Sequence, residues 1–322
     1  MINAFDELNG KVVAITGASG YIGSALSNAL TKHDVEILSV SRQEIVSRTG
    51  DKSIKADVRT PDCWIELVEQ ADVIFHLAGN TSVYAAAKNP VDSLNSTVLP
   101  ITHLVSAVKK VNRKPRVVFA STATLYGLNE QFPITESTEP EPITVYDLHK
   151  YFAEQQLALA SNHGLLESVS LRLANVYGPS ANDCSATDRG ILNKVTTVAM
   201  QGKDLTIYGD GNYLRDYVYI DDVVNAFLLA GQAPGIQARS FIVASGVSNT
   251  LKEAFELVTE QAAIVTGKKV HLNYAAWPAG ADAIEYRNFK ASNDGLVSAT
   301  GWQPTITLEE GVKLLIAEYM KK

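Results

Sequence analysis

The chain has 322 residues, 46% hydrophobic and 20% charged, with a formal net charge of −7 and a mean hydropathy of +0.01. That is the balance of a globular protein large enough for two lobes. Its acidity argues against a nucleic-acid binder, which needs a basic stripe to neutralise phosphates.

The residue patterns, in chain order, alternate strand with helix. Residues 11–16, Lys-Val-Val-Ala-Ile-Thr, read as a short buried strand that runs into the glycine-rich stretch Thr16-Gly-Ala-Ser-Gly-Tyr-Ile-Gly23. Residues 21–32 carry helical apolar spacing through Ile22, Leu26 and Leu30. Residues 35–40 form the next strand. Thr60-Pro61 opens a helix with a capping residue and proline at the first helical position. Residues 73–77 and 116–120 are further apolar strands, separated by a helix over about 91–111 that Pro100 should kink. This rhythm, to about residue 175, is that of a parallel, doubly wound sheet.

Past Pro179 the rhythm changes. Residues 181–189 read as a polar loop, 191–200 as a helix, and 206–215 as a glycine-bearing connection. Thr250-Leu-Lys-Glu253 and Thr307-Leu-Glu-Glu310 have the form of capping boxes opening later helices. The expected fold is α/β, a Rossmann-type doubly wound parallel sheet with a smaller, partly interleaved C-terminal α/β lobe. The dinucleotide-binding domain is placed at 1–180, also receiving about 216–248; 181–215 and 249–322 make the substrate lobe.

Two features carry chemistry. Gly17, Gly20 and Gly23 follow a strand and open a helix, where small residues let a pyrophosphate approach the free amides of the helix N-terminus. Tyr146 and Lys150 stand one helical turn apart and share a face. An ammonium beside a phenol favours the phenolate. Lowering a phenol from ~10 to ~7 takes roughly 4 kcal/mol of differential stabilisation, after which it can exchange protons with an alcohol near neutral pH. A Tyr-x-x-x-Lys alone could equally be a surface helix pair; the glycine loop upstream favours the functional reading.

The glycine spacing is Gly-x-x-Gly-x-x-Gly. With Asp57-Val58, His76-Leu-Ala-Gly79, Ser121-Thr-Ala-Thr-Leu-Tyr-Gly127, Tyr146-x-x-x-Lys150, Leu171-Arg-Leu-Ala-Asn-Val-Tyr-Gly-Pro179 and Arg215-Asp-Tyr-Val-Tyr-Ile-Asp-Asp222, nearly the whole chain resembles the extended short-chain dehydrogenase/reductases: nucleotide-sugar epimerases, dehydratases and reductases. The resemblance implies Tyr146 as general acid/base, Lys150 binding the nicotinamide ribose, and Thr122 bonding the reacting sugar oxygen. It implies a cofactor seat of Gly17, Ser19, Gly20, Tyr21, Ile22, Gly23, Ser41, Arg42, Asp57, Val58, Leu77, Ala78 and Gly79, with Asp57 meeting the adenine. Thr81, Ser82, Asn175 and Arg215 would meet the substrate, the last two at its diphosphate. A homodimer built on helices 91–111 and 146–163 is also implied.

Other residues read as structural. His76 lies inside an apolar strand, Arg172 sits in strand context, Tyr126 and Tyr177 are expected in packing, and Cys184 is read as a small buried thiol. Asp221-Asp222 suits a helix start, and no metal site is expected. Cys63 and Cys184 give no disulfide framework. With no stretch approaching about 18 apolar residues and an acidic N-terminus unlike a signal peptide, no membrane partner and a cytoplasmic location are expected.

Three departures from the family pattern matter. The second strand ends Ser39-Val-Ser-Arg42, without the acidic residue that rewards the 2′-hydroxyl of NAD; Ser41 and Arg42 would suit the 2′-phosphate of NADP. Thr97 stands where the family has a helix Asn. Arg287 is the single Arg of the stretch 277–290, out of clear register with the expected phosphate-binding Arg. Separately from these three, Ala123 and Thr124 stand where the dehydratases of the family carry an Asp-Glu pair. The reading that follows is an NAD(P)-dependent oxidoreductase acting at C4 of a nucleotide hexose. It leans to a 4-ketoreductase of a 4-keto-6-deoxy sugar using NADP, with a 4-epimerase as alternative and a non-catalytic dinucleotide sensor as a distant third.

Overall fold

The structure, a computed structural model, describes residues 6–43, 51–181, 184–186 and 190–321. The first half of the chain runs β1 (Val12–Thr16), α1 (Tyr21–Leu30), β2 (Glu36–Ser41), β3 (Asp51–Lys55), α2 (Pro61–Gln70), β4 (Val73–His76), α3 (Val83–Lys88), α4 (Pro90–Thr97), α5 (Leu99–Val111), β5 (Arg116–Thr122) and α6 (Val145–Asn162). Then follow β6 (Glu167–Leu173), β7 (Asn175–Tyr177), α7 (Ile191–Met200), β8 (Leu205–Tyr208), β9 (Leu214–Tyr219), α8 (Ile220–Gln232), β10 (Arg239–Val243), β11 (Ser248–Thr250), α9 (Leu251–Thr266), β12 (Leu272–Ala275), α10 (Asp294–Thr300) and α11 (Leu308–Met320).

Seven strands form one parallel sheet in the order β10-β6-β5-β4-β1-β2-β3. Its central strands β1 and β4 are apolar nearly end to end because helices cover both faces. Alternation along a strand sends Ile15 to one side and Ala14 to the other. Ile15, Phe75 and Val118 pack with Leu26 and Leu30 of α1 and Phe227 of α8. Ala14, Ile74 and Phe119 pack with Trp64 of α2, Leu104 of α5 and Leu157 of α6. Burying side chains of this size is worth roughly 1.5–3 kcal/mol each, so the two cores hold the sheet rigid under the site. A third cluster, Leu192, Val195, Ile207, Val258, Val312 and Ile316, ties α7, β8, α9 and α11 together. Among the described residues no helix is long and apolar enough to cross a membrane.

Several expectations need correction. The helix over 91–111 is two helices: Pro100 falls in the first turn of α5, and α4 stops at Thr97. A proline lacks the amide that would continue a ladder, so a new helix begins there. Strand β3 was not foreseen because its pattern Asp-Lys-Ser-Ile-Lys is polar, as suits the outer strand of the sheet. The stretch 206–215 is not all connection, since β8 pairs with β12 and β9 begins at Leu214. Thr250 and Glu253 form a full capping box, while Thr307 accepts only from the Glu310 amide. Thr60 precedes α2, but its hydroxyl donates to the Asp57 carbonyl instead of capping. Of the loop 181–189, residues 182, 183 and 187–189 lie outside the described residues.

Candidate active site

In an open parallel sheet ligands bind beyond the carboxyl ends of the strands, where the strand order reverses. Here the reversal lies between β1 and β4. A cleft of about 1140 Å³ opens at that point. The glycine loop follows β1, Gly79 follows β4, Thr122 ends β5, and Asn175 follows β6.

The loop's glycines are dictated by crowding. Gly17 has φ +73°, and a Cβ there would stand 2.9 Å from the Ala78 amide nitrogen; a Cβ at Gly23 would overlap the Gly17 carbonyl. Gly20 caps α1 with no side chain, leaving its first amides turned to the cleft. Such a cradle fits the pyrophosphate of the dinucleotide expected from the sequence.

Tyr146 lies in the first turn of α6, whose N-cap Thr144 accepts from the Asp147 amide. Lys150 is buried; its Nζ donates to the Ala120 carbonyl at 2.7 Å and lies 5.9 Å from the Tyr146 ring centroid. Burial pulls its pKa down to about 8, against Glu154 one turn further on, which holds it up. The ammonium therefore persists at neutral pH beside the phenol. Thr122 Oγ1 lies 2.7 Å from Thr124 Oγ1. Ser121, Thr122, Tyr146 and Lys150 all line the cleft. Thr97 is buried with its hydroxyl unpartnered, close to where a Gly79 side chain would begin.

At the other end Ser41 pairs its hydroxyl with that of Ser19 at 3.1 Å and accepts from the Gln43 amide. Arg42 is exposed at the rim, and Asp57 and Val58 lie beside it in the cleft wall. Asp57 is held below the usual carboxylate range by its hydrogen bonds from Arg59. Arg59 grips both of its oxygens at 2.9 and 3.0 Å. Arg59 was not singled out from the sequence, because nothing local distinguishes it from a solvated cation.

The substrate side differs most from expectation. Thr81, Ser82 and Asn175 line the cleft, and Asn175 Nδ2 donates to the Asp216 carbonyl. Arg215 is not among the lining residues. Its guanidinium is buried and donates to the carbonyls of Leu214 at 2.9 Å, Glu285 at 2.8 Å and Arg287. Burial pulls its pKa down to about 9. Arg287, which the sequence left out of register, does line the cleft, with Phe289 beside it. Desolvation lowers its pKa too. Arg215 thus braces the segment that presents Arg287.

The structural readings fare well. His76 is fully buried between Trp64 and Phe119, its Nδ1 2.7 Å from Thr16 Oγ1. Arg172 pairs with Glu154 at 2.7 Å and donates to the Tyr126 hydroxyl. Tyr177 is buried and donates to Thr307. Asp222 accepts from Thr305 and Ile306 and so fastens the C-terminal segment to α8. Cys184 is half-buried, not enclosed.

Comparison with known proteins decides the family. Residues 13–244 match the model of the NAD dependent epimerase/dehydratase family. The chain belongs to that family. A UDP-glucose 4-epimerase of Mycolicibacterium smegmatis is 29% identical over 96% of this chain and 98% of its own. A UDP-glucose 4-epimerase of Thermotoga maritima, solved with UDP-glucose, superposes with a TM-score of 0.86 at 27% identity, over 96% of this chain and 99% of that one. The enzyme of Thermus thermophilus, solved with NAD, gives 0.82 at 25% identity, over 96% and 99%. As a member of this epimerase/dehydratase family, the chain is an NAD(P)-dependent enzyme of the nucleotide-sugar group.

Proposed function

We propose that the protein is a 4-epimerase of a nucleotide hexose that retains NAD. The observation that carries this is the composition of the reacting end. Tyr146, Lys150 and Thr122 converge in the cleft, while Ala123 and Thr124 leave no acid pair for eliminating water. A site with one phenol beside an ammonium, together with hydroxyls, suits reversible oxidation of an alcohol and little else. The full-length likeness to UDP-glucose 4-epimerases supports the same reading.

NAD, when bound, would supply reversible hydride acceptance at C4 of the sugar. Tyr146 would take the C4 hydroxyl proton, with Thr122 holding the oxygen. Lys150 keeps the phenolate available by its charge. Once the keto sugar presents its other face, Tyr146 returns the proton to the same oxygen. Asn175 and Arg287, which line the cleft, would hold the substrate diphosphate, which an Arg fork matches well.

The ketoreductase reading rests on one observation, Arg42 beside Ser41 at the cofactor end. Purified protein decides between the two. Tightly held NAD and interconversion of UDP-glucose and UDP-galactose without added reductant is the expected result. Stoichiometric consumption of NADPH with a 4-keto-6-deoxy nucleotide hexose would install the reductase.

Pairing of two copies through α4 and α6 belongs to this proposal. Val91, Leu94, Leu148, Phe152 and Leu159 are exposed on those helices, apolar side chains that a second copy could cover. Light scattering should give twice the chain mass, and Phe152→Glu with Leu159→Glu should halve it.

A further inference from the structure

Behind Thr122 runs a chain of hydroxyls that ends on a buried carboxylate. Thr122 Oγ1 lies 2.7 Å from Thr124 Oγ1. Thr124 Oγ1 donates to Asp147 Oδ1, and Thr144 Oγ1 donates to Asp147 Oδ2 at 2.7 Å. Asp147 is wholly buried. Capping α6 needs only the Thr144 end of this arrangement. The other oxygen is turned to Thr124, whose neighbour in the chain faces the cleft.

A hydroxyl has one proton, so the chain can point only one way at a time. With Asp147 ionised, Thr124 donates to it and must accept from Thr122, which leaves Thr122 a lone pair for the cleft. With Asp147 protonated, its O–H can donate to Thr124, Thr124 to Thr122, and Thr122 to the cleft. A C4 hydroxyl can meet either arrangement, since it both donates and accepts. A C4 ketone oxygen only accepts and requires the second.

We propose that Asp147 is a positioning residue for the reaction at Tyr146: through Thr124, its carboxyl sets whether Thr122 meets the reacting sugar oxygen with a lone pair or with a proton. This rests on the reading above in placing a sugar oxygen at Thr122. The keto sugar and a protonated Asp147 then favour each other.

The surroundings make a carboxyl that can titrate. Burial pushes Asp147 up, and the hydroxyls of Thr124 and Thr144 pull it down. Of charged groups on the segment packed opposite, Arg287 pulls it down and Asp282 pushes it up. On its own helix Tyr146, His149 and Lys150 lie within a turn.

The test uses the full-length enzyme with its dinucleotide and saturating UDP-glucose. The bound cofactor's absorbance near 340 nm, which reports the fraction of sugar held as ketone, should rise as pH falls through the Asp147 titration. In Asp147→Asn and in Thr124→Val that rise should disappear, with KM within about threefold of wild type and kcat lowered about tenfold. Infrared difference spectra of the free protein should show the Asp147 carboxyl titrating, and Thr124→Val should move that titration to higher pH because the carboxylate loses a donor. An unchanged pH dependence in both variants, or a carboxyl titration indifferent to Thr124→Val, overturns the proposal. If no nucleotide hexose is converted, the proposed function falls, while the infrared titration still decides the hydroxyl chain.

Discussion

The two walls of the cleft are built in different ways. The wall of β1, β4, β5 and α6 consists of regular elements whose ends converge by topology, so Gly17, Gly79, Thr122 and Tyr146 arrive there as a consequence of strand order. The facing wall, residues 282–289, is a short 3₁₀ turn and a loop. It is fastened by Arg215, which donates to its backbone, and by Phe289, whose amide donates to the Leu214 carbonyl. One wall is held by two hydrophobic cores; the other by a few polar bonds and by Phe289, packed in a smaller apolar cluster with Leu125, Tyr126 and Ile134. Damage to the first should therefore appear as lost chemistry, and damage to the second as lost substrate affinity or local order.

The largest effect expected is on the regular wall. Tyr146→Phe removes the phenol beside Lys150 in the cleft and should cut kcat by about two to four decades. Dinucleotide affinity should stay near wild type by fluorescence titration. Retention of most of the turnover would remove Tyr146 from the acid/base role.

Next come two arginines that divide the facing wall. Arg287→Ala should raise KM for the nucleotide sugar about 10- to 100-fold, the loss of charge-assisted bonds worth roughly 1.5–3 kcal/mol, with little change in thermal midpoint. Arg215→Ala instead removes the donor that the carbonyls of Glu285 and Arg287 share and should lower stability by about 1–3 kcal/mol. Its KM effect should then follow disorder of the 282–289 segment, read by amide hydrogen exchange. If Arg215→Ala raised KM alone, with exchange and stability unchanged, the bracing role would be wrong and direct substrate contact right.

These walls also differ in how far the amino-acid sequence discloses them. Gly17, Gly20, Gly23, Tyr146 and Lys150 are legible because each group sits within a few residues, and helix or loop geometry alone brings its members together. Arg287 is illegible for the opposite reason. It reaches the cleft through contacts with Arg215, 72 residues earlier, and no local period reports such a contact. The same distance misplaces Arg215, since a buried guanidinium spent on carbonyls looks in sequence like one meant for phosphate. Asp147 hides differently: it reads as a helix-start acid, and only folding reveals Thr124 against its second oxygen. Strand β3 and the break between α4 and α5 were lost to a polar pattern and to the ambiguity of a proline inside an apolar run.

The regular wall should also set the pH dependence. Lys150 has its pKa lowered from 10.5 to about 8 by burial. Above about 8 it loses its proton, Tyr146 loses the neighbouring charge, and kcat should fall, up to tenfold per pH unit. Stability should move the other way. Between 8 and 10.5 the unfolded chain still binds the lysine proton while the folded one does not, so folding is increasingly favoured as pH rises. A parallel scan of kcat and thermal midpoint separates the two, and a joint fall would mean alkaline unfolding and not a lost ammonium.

The smallest effect lies at the rim, where both walls give way to solvent. Arg42 is exposed, and Ser41 has its hydroxyl engaged with Ser19 and the Gln43 amide. Nothing acidic at Ser41 rewards a free 2′-hydroxyl, so a 2′-phosphate could pair with Arg42. A charge-assisted bond can reach roughly 1.5–3 kcal/mol, but a pair open to water retains about 1 kcal/mol or less, a factor of about five. Arg42→Ala should therefore weaken NADPH about fivefold and leave NADH nearly unchanged, as measured by titration calorimetry at low and high salt. The salt series is the sharper half, because screening should shrink the wild-type preference towards that of the variant. If neither salt nor Arg42→Ala alters the ratio, Arg42 is merely solvated, and the ketoreductase reading loses the one observation that supports it.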